Sequence, residues 1–153
     1  TKLAIFAAGC FWGIEEKFLS HNGVLDTEVG YIGGITSDPT YHEVCSGETG
    51  HAEAVRVKFD EDVVSYEELV NLFFKMHDPT TLNRQGLDIG TQYRSEIFCL
   101  DDDQYLIADA IKRKLDQEVY NDKIMTSISM ADNFWIAEEY HQKYVRKKKN
   151  LIF

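Results

Sequence analysis

The sequence predicts an α+β fold, in which helices pack on a mainly antiparallel sheet. Runs of alternating apolar residues are separated by runs with helical spacing, so strands and helices follow one another along the chain. The first six predicted elements have the order β-α-β-β-α-β, which is the order of the ferredoxin-like unit. At 153 residues the chain can bury a sizeable core, so residues 1–153 are expected to form a single domain.

The first half of the chain contains the clearest elements. A buried strand is expected at 2–8, because this run is almost entirely apolar, and a helix follows at 11–19. Asn22-Gly23 predicts a turn into a strand at 24–31, and alternation predicts another strand at 51–59. The Gly-rich stretch 32–50 between them has no periodic pattern and is expected to be a long loop. Loops of that length are often functional.

The second half is predicted to add two long helices and two strands before a final helix. Ser65 and Glu68 have the spacing of a capping box, which starts a helix that extends to about residue 77. The remaining expectations are a loop at 80–91, a strand at 92–100, a helix from about 101 to 121, a strand at 123–130 and a helix at 134–147.

The charge of the chain argues against two classes of partner. The net charge is −10 and the pI is about 4.9, so nucleic acid and anionic membranes are disfavoured. The basic run at 146–149 stands alone on an acidic protein, and we interpret it as a solvated helix end. No signal peptide or long apolar span is visible, which favours a cytoplasmic location.

The cysteines indicate a reducing compartment. There are three, Cys10, Cys45 and Cys99, and an odd, widely spaced set argues against a disulfide framework. No cluster of cysteine and histidine has the spacing of metal ligands, so no metal or other cofactor is predicted. Cys99 falls in a predicted strand and is expected to be buried.

Cys10 is the candidate nucleophile. It lies between the first strand and the first helix, where unpaired backbone N–H groups and the helix dipole favour a thiolate. Gly9 and Gly13 leave room for a ligand to approach the sulfur, and two large aromatic residues follow it, Phe11 and Trp12. The alternative is a buried structural cysteine with core aromatics, because free cysteine is often buried.

Glu53 is the candidate acid. In the predicted strand at 51–59 it shares a face with Val55, Val57 and Phe59. A carboxyl group on an apolar face should have a raised pKa, because desolvation disfavours its charged form. The alternatives are that Glu53 lies at a frayed strand end, pairs with a cation or contacts water. His51 should point to the other face and is interpreted as structural.

Several stretches together resemble one protein family. The sequence Gly9-Cys10-Phe11-Trp12-Gly13 resembles the signature of peptide methionine sulfoxide reductase, class A. Further matches occur in the same order along the chain, at 30–34, 41–44, 47–55, 88–95 and 137–142. A single motif would be weak support, but an ordered series from residue 7 to residue 144 makes chance very unlikely.

The resemblance implies a role for each site residue. Cys10 would attack the sulfur of a methionine-S-sulfoxide, and Glu53 would protonate the departing oxygen. Phe11 and Trp12 would hold the S-methyl group. Three further residues would complete the site: Tyr41 and Tyr93 would donate hydrogen bonds to the oxygen, and Asp88 would orient the site through hydrogen bonds. From the sequence pattern alone, structural positions are favoured for both tyrosines, and Asp88 is interpreted first as a turn residue.

The resemblance also implies how the enzyme would be recycled. The products would be methionine and a sulfenic acid on Cys10. Many family members carry further cysteines in a C-terminal tail, whereas no cysteine follows Cys99 here. We therefore expect an external thiol reductant, either glutathione with glutaredoxin or thioredoxin. Cys45, in the Gly-rich loop, is the internal alternative. Oxidised proteins or free methionine sulfoxide would be the substrate.

Two other classes of function remain open. One is a non-catalytic module that binds oxidised methionine, although binding alone requires neither Cys10 nor Glu53. The other is a peroxide-sensing thiol protein, which would explain a reactive Cys10 but not an acid beside two aromatic residues. A thiol-dependent assay with methionine sulfoxide separates the three.

Overall fold

The computed structural model describes residues 1–150, over which the chain forms eight strands and five α-helices. The strands are β1 (Lys2–Ala8), β2 (Val24–Ile32), β3 (Ala52–Phe59), β4 (Arg84–Gln85), β5 (Asp88–Ile89), β6 (Ser95–Cys99), β7 (Ser127–Met130) and β8 (Trp135–Ile136). The helices are α1 (Phe11–Leu19), α2 (Tyr41–Cys45), α3 (Tyr66–Lys75), α4 (Asp102–Glu118) and α5 (Tyr144–Asn150). Within this part of the chain, no helix is both long and apolar enough to span a bilayer.

Six of the strands form one sheet that contains both antiparallel and parallel pairs. Together with the five α-helices, this sheet gives a mixed α+β fold. Their order is β7-β6-β1-β3-β2-β8, and every neighbouring pair is antiparallel except β6 and β7, which are parallel. In this register Phe6 lies opposite Val55, and Tyr31 lies opposite Glu53.

The main core lies between this sheet and the helices α1 and α3. The ring of Phe6 stacks on Phe18 from α1 at 4.9 Å and on Phe73 from α3 at 5.4 Å, measured between centroids. Val55, Val57 and Phe59 of β3 belong to the same cluster. Since alternate residues of a strand share a face, Glu53 points toward this helix-covered side.

The starts of α3 and α4 are set by capping side chains that are visible in the sequence. The Ser65 hydroxyl accepts a hydrogen bond from the Glu68 N–H at 3.0 Å, and the Asp101 carboxylate accepts one from the Gln104 N–H at 2.8 Å. Each satisfies an N–H group that has no partner inside the helix. The predicted starts of α3 and α4 are therefore confirmed, although α4 ends at Glu118, before the predicted end at 121.

The loop predicted at 32–50 contains a short helix, so that prediction was incomplete. Helix α2 begins after Thr40, whose hydroxyl accepts from the Glu43 N–H, while the Glu43 carboxylate accepts from the Thr40 N–H. This is a complete capping box, and the Thr-x-x-Glu spacing was visible in the sequence. The helix has only five residues, too few for apolar periodicity to reveal it.

The next predicted loop and strand also differ from the structure. The stretch 80–91 contains a hairpin of β4 and β5, in which Arg84 pairs with Ile89 and Gln85 with Asp88. Strand β6 begins at Ser95 rather than at 92, because Thr91–Tyr93 form a 3₁₀ turn. Strand β7 begins at Ser127 rather than at 123. Tyr93 is therefore on a turn and not on a strand.

The helix predicted at 134–147 is wrong. Trp135 and Ile136 instead form the edge strand β8, opposite Tyr31 and Gly30. A 3₁₀ turn follows at Glu139–His141, and α5 starts only at Tyr144, after Lys143 adopts a φ of +54°. Pairing with the sheet edge outweighs the local helical pattern here. The basic run 146–149 does lie on a helix end, where Arg146 and Lys149 pair with Glu16.

Candidate active site

Cys10 lies at the N-cap of α1, directly after β1, as predicted. The chain reverses at Gly9, which has a φ of +98°, a conformation that side chains other than glycine rarely adopt. A Cβ at this position would stand 3.0 Å from the Cβ of Gln85, so the turn also packs closely against the β4–β5 hairpin. The backbone N–H groups of Trp12 and Gly13 lower the pKa of the Cys10 thiol, although its side chain makes no capping hydrogen bond to the helix.

The resting state of Cys10 differs from the expectation of a thiolate. Burial raises the pKa of its thiol to about 11, and the charges of Glu53 and Asp88 act in the same direction. The backbone N–H groups of α1 lower the pKa but do not outweigh these effects. The expectation from the helix N-terminus alone was therefore wrong, because it left out desolvation and two neighbouring carboxyl groups.

Glu53 is buried beside the start of α1. It exposes 1% of its surface, and its Oε1 accepts a hydrogen bond from the Phe11 N–H at 3.2 Å. Its Oε2 is buried without a hydrogen-bond partner among the described residues. Burial raises the pKa of this carboxyl to about 7, as the strand pattern predicted. A substantial fraction of Glu53 is therefore protonated near neutral pH and can donate a proton.

Tyr41 and Tyr93 approach the same carboxyl from two different segments. Tyr41 is the first residue of α2, and Tyr93 ends the 3₁₀ turn before β6. Burial raises the pKa of both hydroxyls, that of Tyr93 to about 12, and the charge of Glu53 raises both further. Both side chains remain partly exposed. They are therefore neutral hydrogen-bond donors within electrostatic range of Glu53.

Asp88 acts on the site through its charge. It lies exposed on β5, and no hydrogen bond joins its carboxylate to another of the described residues, contrary to the expectation. Its charge nevertheless raises the pKa of Cys10, Glu53 and Tyr93. The short β4–β5 hairpin projects into solvent, which explains why Asp88 lies near the site without a bond to it.

The two aromatic residues after Cys10 have different environments. Phe11 is 1% exposed and packs against the rings of Tyr31 and Tyr41 at 5.8 and 6.5 Å. Trp12 is half-buried, and its indole stacks on Tyr144 at 3.8 Å with an angle of 12° between planes. Trp12 is therefore the more accessible of the two, with Phe11 beneath the site.

The other cysteines and His51 fall where the sequence indicated. Cys99 is fully buried in β6. Cys45 is exposed at the end of α2, where its side chain and the Tyr41 hydroxyl influence each other's pKa, so it lies at the rim of the site. His51 is buried, accepts from the Gly34 N–H at 3.0 Å and lies 2.7 Å from the Thr36 carbonyl. This confirms its structural interpretation. Among residues 1–150 no cluster of possible metal ligands is found.

Comparison with known proteins decides the family. The sequence profile described as peptide methionine sulfoxide reductase matches residues 2–152. This chain belongs to that family. An enzyme of the family from Methanococcus maripaludis strain C7, named peptide methionine sulfoxide reductase MsrA, is 50% identical over 153 residues, covering 99% of this chain and 96% of its own length.

Solved structures agree with the family assignment. The reduced form of Mxr1 from Saccharomyces cerevisiae superposes with a TM-score of 0.92 at 39% identity, covering 97% of this reductase-family chain and 86% of Mxr1. The complex of Mxr1 with Trx2 gives a TM-score of 0.67 at 28% identity, covering 94% and 84%. The mixed α+β fold of this chain is thus the fold of known family members.

Sequence reasoning missed one part of this reductase-family site, the segment 137–143. It was interpreted as helix core, but it lies against the site as an irregular segment. His141 accepts a hydrogen bond from the Trp12 indole at 2.9 Å, and Glu138 accepts one from the Tyr41 N–H at 2.9 Å. The only signal in the sequence was the family match at 137–142, which indicated identity but no role.

Proposed function

We propose that this protein is a peptide-methionine (S)-S-oxide reductase that acts on methionine-S-sulfoxide in proteins and as the free amino acid. The observation that carries the proposal is the arrangement at the start of α1. There Cys10 occupies the N-cap, and the buried carboxyl of Glu53 accepts the N–H of the next residue, Phe11. Because Cys10 and the carboxyl of Glu53, whose pKa is raised, both lie at the start of α1, they can act on the same sulfoxide group.

The two groups divide the chemistry between them. Glu53 in its protonated form gives its proton to the sulfoxide oxygen, which makes the sulfur more electrophilic. The Cys10 sulfur bonds to the sulfoxide sulfur, and the oxygen leaves as water with the proton from Glu53 and the proton that Cys10 loses. A water molecule then attacks the Cys10 sulfur, which breaks the S–S bond, releases methionine and returns one proton to Glu53. One sulfoxide and one thiol thus become one methionine and one sulfenic acid, so atoms and electrons balance.

The pKa values of Cys10 and Glu53 are linked. The charge of Glu53 raises the pKa of the Cys10 thiol. A protonated Glu53 no longer opposes the thiolate, and the N–H groups of Trp12 and Gly13 then favour it. Protonation of Glu53 therefore removes one of the influences that raise the pKa of Cys10, while burial, the largest of them, remains.

The surrounding residues bind the rest of the sulfoxide group. The hydroxyls of Tyr41 and Tyr93 donate hydrogen bonds to the oxygen, which their raised pKa values and the shared influence of Glu53 support. Trp12 holds the S-methyl group, with Phe11 as the base of that pocket. Sulfur–aromatic contacts contribute about 0.3–1.5 kcal/mol. Burial is the main reason that the pKa of the Cys10 thiol is raised, and the charge of Asp88 adds to it.

An external thiol would regenerate Cys10. The structure of Mxr1 in complex with Trx2 supports a thioredoxin as reductant, and glutathione with glutaredoxin is the alternative. The three free cysteines fit a reducing, cytoplasmic compartment. We also propose that residues 1–153 form one domain with a ferredoxin-like core. The antiparallel order β6-β1-β3-β2 supports that core.

The test is a thiol-dependent assay with the separated S and R epimers of methionine sulfoxide. The proposal expects turnover of the S epimer with dithiothreitol and none with the R epimer. Tight binding without turnover would instead indicate a binding module. Fast oxidation of Cys10 by peroxide, without sulfoxide reduction, would indicate a sensor.

A further inference from the structure

Tyr93 lies on a turn that is too short to hold its own position in the fold. The 3₁₀ turn Thr91–Tyr93 is closed by two backbone hydrogen bonds, from the Tyr93 N–H to the Gly90 carbonyl at 3.1 Å and from the Arg94 N–H to the Thr91 carbonyl at 3.2 Å. Such bonds shape the turn but do not connect it to the sheet. Contacts with other segments therefore decide where the Tyr93 hydroxyl lies.

The side chain of Arg94, the next residue, supplies such contacts. Its Nη1 donates to the carbonyls of Thr91 and Gly50, both at 2.9 Å. One nitrogen atom thus connects the start of the turn to a residue 44 positions away from Arg94 in the chain. Gly50 lies just before β3, the strand that carries Glu53. Arg94 therefore holds the turn of Tyr93 against the beginning of that strand.

The guanidinium group of Arg94 is itself held in one orientation. Its Nε donates to Oε1 of Glu96 at 2.7 Å, and the hydroxyl of Ser129 donates to Oε2 of Glu96 at 2.6 Å. The side chains of Arg94 and Glu96 expose only 17% and 11% of their surface. Because Glu96 lies on β6 and Ser129 on β7, the guanidinium is fixed to the sheet. A planar group with three hydrogen bonds in fixed directions retains little freedom.

Gly33 leaves the space that the guanidinium occupies. A Cβ at this position would stand 2.7 Å from Nη2 of Arg94 and 2.9 Å from the ring of Phe98. The φ of Gly33 is +87°, which also favours glycine. Arg94 thus packs against Gly33 and bonds to Gly50, so it contacts both ends of the Gly-rich stretch 33–50.

Arg94 influences the site through position rather than through charge. Its positive charge is compensated by the ion pair with Glu96. Burial is the main cause that raises the pKa of Glu53, and the charge of Asp88 adds to it. Loss of the Arg94 guanidinium should therefore displace Tyr93 and leave the acidity of Glu53 close to that of the parent.

We propose that Arg94 is a positioning residue, which holds its turn against Gly50 and so keeps the Tyr93 hydroxyl at the sulfoxide oxygen. This inference rests on the proposed function, which makes Tyr93 a hydrogen-bond donor to that oxygen. Such a donor contributes most in the transition state, while charge develops on the oxygen. Displacement of Tyr93 should therefore lower kcat more than it raises KM.

Steady-state kinetics with methionine-S-sulfoxide is the first experiment. Arg94→Met keeps an apolar stem but removes every N–H donor, and kcat is expected to fall about 10-fold, the size of one lost hydrogen bond, with a smaller change in KM. Arg94→Lys keeps the charge and a donor and should recover part of kcat. Arg113→Met, which removes an exposed arginine paired with Asp109 on α4, is the matched control and should keep the parent kcat. An Arg94→Met protein with the parent melting temperature and the parent kcat would overturn the proposal.

A double-substitution cycle tests whether Arg94 acts through Tyr93. Tyr93→Phe removes the hydroxyl that the turn positions. In that background Arg94→Met should change kcat much less than it does in the parent. An equal fold-change in both backgrounds would show that Arg94 acts on another part of the site, and would contradict the assignment.

The pH profile separates displacement of Tyr93 from an effect on Glu53. Burial raises the pKa of Glu53 to about 7, so kcat/KM of the parent should fall as pH rises through about 7. Arg94→Met should be slower at every pH and show the same midpoint. A midpoint shifted by one pH unit or more would place the effect of Arg94 on Glu53, against the proposal.

Glu96→Gln is the milder variant, which decides the matter if Arg94→Met does not fold. The amide keeps one acceptor oxygen for the two donors, Arg94 and Ser129, so the guanidinium should be less well oriented. We expect kcat to fall about 2- to 5-fold, and to fall less in the Tyr93→Phe background. A folded Glu96→Gln protein with the parent kcat would contradict the proposed role of the ion pair.

Hydrogen–deuterium exchange gives a readout that does not depend on activity. Arg94→Met, or Glu96→Gln in its place, should speed exchange in the peptides that cover 90–95 and 48–52, because the turn and the start of β3 lose their connection. Arg113→Met should leave both peptides unchanged. Exchange at the parent rate in both peptides of Arg94→Met would refute the connection. An inactive parent protein would refute the proposed function but leave this measurement intact.

Discussion

The carboxylate of Glu53 on β3 accepts a hydrogen bond at 3.2 Å from the backbone N–H of Phe11, the residue that follows Cys10. The contact joins positions 42 residues apart in the chain. It places the most strongly buried acid of the site at the helix start that carries the nucleophile. Glu53, the proposed proton donor, is thus hydrogen-bonded to the same backbone turn that carries the sulfur of Cys10.

Replacing Cys10 with serine should abolish turnover and leave the fold intact. Cys10 is only partly buried at the N-cap, a position where serine is also favourable, so stability should change little. Turnover with dithiothreitol and thermal unfolding are the measurements. Cys45→Ser is the control and should stay active with this dithiol. Activity retained in Cys10→Ser would exclude Cys10 as the nucleophile.

Replacing Glu53 with glutamine should slow sulfoxide reduction by about 10²–10⁴-fold, the usual contribution of a general acid. Because burial raises the pKa of Glu53 to about 7, kcat/KM of the parent should fall as pH rises through about 7. The variant should lose that dependence. If Glu53→Gln remains within a few-fold of the parent, the proton comes from another group, with Tyr41 and Tyr93 the next candidates.

Glu53 should also make stability depend on pH. Its pKa is raised from 4.5 to about 7 on folding, so the folded state binds more protons than the unfolded state between these values. Stability should therefore fall as pH rises from about 5 to 8, by up to about 3 kcal/mol, since each pKa unit corresponds to about 1.4 kcal/mol. Urea unfolding of parent and Glu53→Gln at both pH values measures this. An equal pH dependence in both proteins would contradict it.

Replacing Trp12 with alanine should raise KM and weaken discrimination against sulfoxides that lack the methyl group. The half-buried indole is the accessible aromatic side chain next to Cys10. Kinetics with methyl and ethyl sulfoxides provide the measurement, and Trp135→Phe on the edge strand β8 is the control. A Trp12→Ala protein that fails to fold would show that Trp12 belongs to the core instead.

Much of the fold and the central pair of the site could be predicted from local pattern. Alternation in β3 placed Glu53 on the apolar face, and the strand–turn–helix pattern placed Cys10 at the start of α1. Both placements could be predicted because they depend only on residues that are close in the sequence. The family match added Tyr41 and Tyr93, whose positions on a five-residue helix and a 3₁₀ turn carry no periodic signal.

The features that could not be predicted depend on contacts between distant segments. Desolvation outweighs the helix start in deciding the protonation of Cys10, and the charge of Glu53 adds to the effect of desolvation. Trp135 joins a sheet edge formed by β2, more than 100 residues earlier, and this replaces the first part of the predicted C-terminal helix, which starts only at Tyr144. The hydrogen bonds of Glu138 to Tyr41 and of His141 to Trp12 likewise join segments about 100 residues or more apart and carry no local signal.

The central claim is that Cys10 becomes a sulfenic acid as the sulfoxide is reduced and that an external thiol then reduces Cys10. The most direct test is a single turnover of the protein with methionine-S-sulfoxide and no reductant, followed by mass spectrometry. The prediction is about one methionine per protein, with a sulfenic acid on Cys10 that dimedone traps, or a glutathione adduct once glutathione is added. Absence of methionine, or a Cys10–Cys45 disulfide formed at the rate of turnover, would contradict the account.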